Sequence, residues 1–125
     1  GSVSLGLDMT LRTLQATLKK NGHPWTTAKV FIDSAVVGPW IALNEFPDYM
    51  ETEFSLSINN QIKQQALPKQ MLFHPVDLIV YASQFFPLCD GDLIYTGTPA
   101  GVGPVQVNTK VILKWSNYQY SVAWS

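Results

Sequence analysis

Apolar and polar positions change period several times along this chain, and each change predicts an element. Val3 to Leu7 is a short apolar run that delivers Asp8 at its end, which predicts a strand. From Leu11 the period becomes helical: Leu11, Leu14 and Leu18 share a face until Asn21-Gly22 stops the helix, and Thr10 is placed to cap it. In residues 53–58, EFSLSI, apolar side chains alternate with polar ones. Asn59-Asn60 suits a two-residue turn, and Ile62 to Gln65 the returning strand of a surface hairpin. Pro75 fits the first turn of a second helix, with Val76, Ile79, Val80 and Phe86 available for burial before Pro87 ends it. Leu93 to Thr96, Lys110 to Trp115 and Gln119 to Trp124 read as three further strands, the last two joined around Ser116-Asn117. The sum is a β-rich α+β fold with two short helices. With no repeat, low-complexity segment or linker, residues 1–125 read as a single domain.

Composition narrows the setting. At 125 residues, 46% hydrophobic and 14% charged, the chain suits one globular domain burying roughly two-thirds of its unfolded surface. A formal net charge of −1, with Lys and Arg scattered apart from Lys19-Lys20, leaves no basic field for a nucleic-acid backbone. The lone cysteine, Cys89, has no internal disulfide partner and reads as a small buried apolar residue in a reducing compartment. No apolar run approaches a membrane span and no signal-type segment opens the chain. The expectation is a cytoplasmic protein with neither a membrane nor a nucleic-acid partner. Gly1-Ser2 has the look of a remnant of cloning.

The polar residues leave several readings open when taken one at a time. In LIYTGTPAGVGP, residues 93–104, the glycines allow positive φ and close approach of backbone to a ligand. A phosphate-binding loop needs a Gly-Lys-Ser/Thr ending, which is absent, so the loop alone reads as a tight turn between strands. Asp8, where strand meets helix, can bind a metal, cap the first turn or face solvent. Lys29, in GHPWTTAK, needs a carboxylate or an anionic ligand if buried and is an ordinary surface lysine otherwise. His23 and His74 lack metal-ligand spacing, and no serine, cysteine and histidine arrangement suggests a nucleophile. Glu51 and Glu53 read as a solvated strand end.

Taken together, GLDMTLRTLQ (6–15), KKNGHPWTTAK (19–29) and GDLIYTGTPAGVGP (91–104) resemble, in order and spacing, the fumarylacetoacetate hydrolase family, closest to its acylpyruvate hydrolase branch. The likeness runs over nearly the whole chain and is weakest at 41–75 and after 105. It implies a β-rich mixed roll, commonly dimeric. It also implies an enzyme that cleaves a carbon-carbon bond in acylpyruvates or related 1,3-diketo acids around Mg²⁺ or Mn²⁺. Close relatives decarboxylate oxaloacetate or isomerise dienedioates. By the same resemblance Asp8 matches a metal carboxylate, and Lys29 the active-site lysine that offsets charge on an enolate. Arg12 and Gln15, one helical turn apart, match substrate contacts. Gly97 and Thr98 belong to the loop whose hydroxyl and backbone amides hold the substrate carboxylate.

The chain departs from the family pattern in one respect. Members carry a Glu-x-Glu pair upstream of this aspartate that completes the metal site, and a histidine and glutamate further upstream that activate water; here too few residues precede Asp8 to hold them. Glu51-x-Glu53 follows Asp8 and does not replace the pair. The expectation is therefore the C-terminal portion of a metal-dependent C–C hydrolase on a small oxo-acid, inactive alone and self-associating as a dimer or larger assembly. The alternative is a non-catalytic oxo-acid-binding or assembly module. A Glu-x-Glu pair encoded upstream of Val3 distinguishes the two.

Overall fold

The computed structural model describes residues 1–123. Its main sheet is four-stranded and antiparallel: β5 (Phe54–Ile58), β6 (Gln61–Ala66), β7 (Val111–Trp115) and β8 (Tyr118–Val122), in the order β6-β5-β7-β8. Period-two patterning explains the inner strands. Val111, Leu113 and Trp115 are buried on one face of β7 while Lys114 points to solvent, and Leu56 of β5 lies opposite Leu113. The predicted hairpin of 53–58 with its returning strand is present as β5–β6, but it does not stand alone on the surface, because β7 covers the other edge of β5 and makes it an inner strand. Asn59 and Asn60 both take positive φ, 49° and 64°, the left-handed pair that a two-residue turn requires. The last predicted strand is observed as β8; Trp124 lies outside the described residues.

The first apolar run is split between two small antiparallel pairs. β1 (Ser2–Val3) joins β4 (Ile41–Ala42), and β2 (Gly6–Asp8) joins β3 (Ala35–Val37). Between them the Leu5 carbonyl accepts from the Gly38 amide and from the Tyr120 hydroxyl, which ties the chain's beginning to β8. Gly38 has to be glycine, since a Cβ there would sit 2.1 Å from Tyr120 Cε1. Two apolar clusters result. Leu7, Leu56, Val111 and Leu113 form one; Ile41, Phe46 and Trp115 form the other, with Phe46 meeting Trp115 edge-on at 5.1 Å.

Among the described residues there are three α-helices rather than two: α1 (Arg12–Lys20), the single turn α2 (Thr26–Lys29) and α3 (Pro75–Ser83). α1 has Leu11, which carries no side-chain acceptor, at its cap position; Thr10, expected to cap it, instead accepts from Lys29 Nζ. His74 caps α3, its Nδ1 accepting from the Val76 amide. The apolar residues expected to be available for burial by the second helix, Val76, Ile79, Val80 and Phe86, are exposed among the described residues, as are Leu11 and Leu14. Residues 93–96 form no strand. Nothing among the described residues supplies a backbone partner there, and Leu93, Ile94 and Tyr95 are exposed. Cys89 is likewise exposed, not buried. No helix of the described residues is long and apolar enough to cross a membrane.

Candidate active site

The strand-to-helix crossing at residues 8–12 is pinned by two backbone bonds, Met9 N to Ser34 O at 2.8 Å and Leu11 N to Ala28 O at 3.0 Å. Ala28 is fully buried, so α2 is anchored at its third residue and its fourth, Lys29, emerges beside the end of β2. There its Nζ donates to Asp8 Oδ1 at 2.5 Å and to Thr10 Oγ1 at 2.7 Å. Asp8 therefore pairs with a lysine instead of capping a helix. The ion pair stands open to solvent on its Asp8 side, with the lysine side chain 31% and the aspartate 52% exposed. One turn along α1, Arg12 Nη1 donates to Gln15 Oε1 at 3.1 Å, so these two residues share a face as expected.

The glycine loop is attached to this region by Tyr95, whose hydroxyl donates to the Val36 carbonyl at 2.9 Å, on the strand paired with β2. Partial burial, and then the charge of Asp8, push the Tyr95 phenol above its ordinary pKa. Burial and the neighbouring Tyr95 likewise push Tyr120 up to about 12. Beyond Tyr95, Gly97 has φ 105° and Gly101 φ 98°. A Cβ on Gly101 would lie 1.9 Å from the Lys63 carbonyl oxygen, so the loop sits directly against β6. Gln64 Nε2 of β6 donates to Thr98 Oγ1 at 2.9 Å and to the Pro99 carbonyl at 3.0 Å.

Asp8, Lys29 and Thr10 thus form one contact group, Arg12 and Gln15 a second, Thr98 and Gln64 a third, and Tyr95 joins the loop to the β2–β3 pair. No hydrogen bond among the described residues links the first group to the second or third. Sequence reasoning missed Thr10 as a partner of Lys29, and missed Tyr95 and Gln64 altogether. Glu51 pairs with Lys69, and Glu53 accepts from Gln65 Nε2 at 2.6 Å, both solvent-exposed. A groove of about 890 Å³ runs past Leu5, Phe54, Leu67, Ile79, Tyr95 and Thr98, and is largely apolar.

As a donor set for a divalent cation these residues do not suffice. No group of three or more His, Cys, Asp or Glu converges among the described residues. Asp8 stands as one carboxylate, with an oxygen already taken by Lys29, where Mg²⁺ demands an octahedron of oxygens.

The glycine loop lies on the edge strand β6, and its Tyr95 reaches the β2–β3 pair that ends at Asp8. The chain belongs to the fumarylacetoacetate hydrolase family: residues 2–118 match the fumarylacetoacetate (FAA) hydrolase C-terminal domain. It is 40% identical over 115 residues to oxaloacetate tautomerase YcgM of Escherichia coli K12, which covers 91% of this chain and 52% of that protein. It is 39% identical over 111 residues to the human mitochondrial oxaloacetate tautomerase FAHD1, covering 89% of this chain and 50% of that one. Among solved structures, fumarylpyruvate hydrolase from Pseudomonas aeruginosa, in complex with Mn²⁺ and pyruvate, superposes with a TM-score of 0.88 at 31% identity. That match covers 98% of this chain and 53% of the other. The chain spans about half the length of the relatives it matches. The family and the β-rich fold are thus as the three motifs implied.

Proposed function

We propose that this chain supplies the C-terminal half of a divalent-metal-dependent active site that handles a small 2-oxo acid through its enolate. The observation that carries the reading is the placement of Lys29 Nζ between Asp8 and Thr10, at the end of the β2–β3 pair to which Tyr95 ties the glycine loop. A fixed ammonium of this kind offsets the charge that develops on an enolate oxygen. Asp8 is the single carboxylate this half offers to a metal, and further ligands and the water-activating groups come from the remainder of a chain as long as the relatives'. Arg12 and Gln15 contact the substrate, and Thr98 with the amides after Gly97 takes its carboxylate. On this reading the reaction is hydrolytic C–C cleavage of an acylpyruvate.

A second reading, keto–enol tautomerisation of oxaloacetate, is favoured by the higher identity to the two tautomerases than to the fumarylpyruvate hydrolase. Both readings need the same lysine, since both pass through an enolate. The test uses the complete protein that carries these residues, loaded with Mg²⁺ or Mn²⁺. Pyruvate release from acetylpyruvate supports the hydrolase, and faster ultraviolet relaxation of enol oxaloacetate supports the tautomerase. Neither activity, in a folded and metal-loaded protein, would leave only the non-catalytic module. Residues 1–125 alone are expected to turn over negligibly in either assay.

A further inference from the structure

In the sheet order β6-β5-β7-β8, β6 is an edge strand, and the glycine loop rests against it. The Gln64 side chain bridges the contact, its Nε2 within 3.0 Å of both Thr98 Oγ1 and the Pro99 carbonyl. The Pro99 carbonyl can only accept, so the Gln64 atom between the two oxygens is the amide nitrogen and not the amide oxygen. Both of its protons are then used. The Thr98 hydroxyl, accepting one of them, keeps its own proton free for a further acceptor.

Resting on the oxo-acid reading above, we infer that Gln64 is a positioning residue that holds Thr98 as a hydroxyl donor toward a carboxylate ligand in the glycine loop. Gln64 acts through Thr98 and does not itself meet the ligand. Glutamate is the discriminating replacement because it matches the shape of glutamine and offers no N–H at neutral pH. With Gln64→Glu the Thr98 hydroxyl turns to donate to the new carboxylate, its proton is lost to the ligand, and negative charge faces both the Pro99 carbonyl and the incoming anion.

The test measures pyruvate binding calorimetrically, together with thermal melting, in the complete protein. Thr98→Val and Gln64→Glu are each expected to weaken pyruvate binding about tenfold or more, with melting close to wild type. Gln64→Leu removes the fixing donor without adding charge and should weaken binding less. Combining Gln64→Leu with Thr98→Val should cost no more than Thr98→Val alone, since the residues act in series. Wild-type binding in both Gln64 variants alongside a weakened Thr98→Val would overturn the inference. So would additive losses, or binding losses that merely follow a fall in melting temperature. If neither Thr98→Val nor Lys29→Ala alters pyruvate binding, the oxo-acid reading itself falls, whatever Gln64 does.

Discussion

Lys29 follows the buried Ala28 and carries a partly exposed tip, so on the proposed reading its contribution to folding separates from its contribution to chemistry. Its pair with Asp8 is partly exposed, and such pairs are worth about 0–1 kcal/mol. Lys29→Ala in the complete protein should therefore shift the melting temperature by only a few degrees while lowering kcat by about a hundredfold or more. Parallel losses of stability and activity would make the lysine structural. Tyr120 shows the opposite balance. Its hydroxyl bonds the Leu5 carbonyl, and its raised pKa means that the folded state holds the phenolic proton more tightly than the unfolded state does. The stability from that preference is complete below pH 10, the ordinary tyrosine range, and is lost as pH rises toward about 12. Tyr120→Phe should accordingly be less stable than wild type by about 1 kcal/mol at pH 8. The difference should close between pH 10 and 12 in denaturant titrations; a constant gap would refute it.

At the scale of elements, the contact between the glycine loop and β6 is the most demanding joint. Gly101→Ala meets both a positive φ of 98° and the Lys63 carbonyl, so it should cost about 1–3 kcal/mol in urea unfolding and lift the loop. Gly103→Ala, with nothing within 4 Å of the added Cβ, should be silent. This joint was also the least legible in the sequence. Strand β5 announces itself by alternation and β7 and β8 by their apolar and aromatic runs, whereas β3 and β4 are too short for any pattern to register. Gln61, Gln64 and Gln65 look interchangeable in the chain. Which of them meets the loop is decided by a register shift between Leu56 and Ser57 of β5, which leaves Lys63 of β6 without a partner and breaks the period of two. Leu93–Ile94–Tyr95 has strand composition, yet composition cannot supply a partner backbone. The pairing of Asp8 with Lys29 was not legible in the sequence, because residues 21 apart carry no local signal; the family resemblance placed both in one site without pairing them.

For the whole molecule, the balance of covered and uncovered apolar surface matters most. Leu72 is 95% exposed, and Phe73, Val76, Tyr81, Phe85 and Phe86 stand open around α3. The isolated 125-residue polypeptide should therefore self-associate, giving concentration-dependent dimers or larger species in sedimentation velocity. A monodisperse monomer at high concentration would refute this. The pairing of β5 with β7 bears on how the chain is born as well as how it stands. Phe54 meets Trp115 and Ile58 meets Val111, so the centre of the sheet joins residues that leave a ribosome far apart in time. Until β7 emerges, the β5–β6 hairpin has no second sheet neighbour and Leu56 no facing Leu113. The nascent chain must then stay open to chaperones until β7 has been made, with a slow search for a non-local partner still ahead of it.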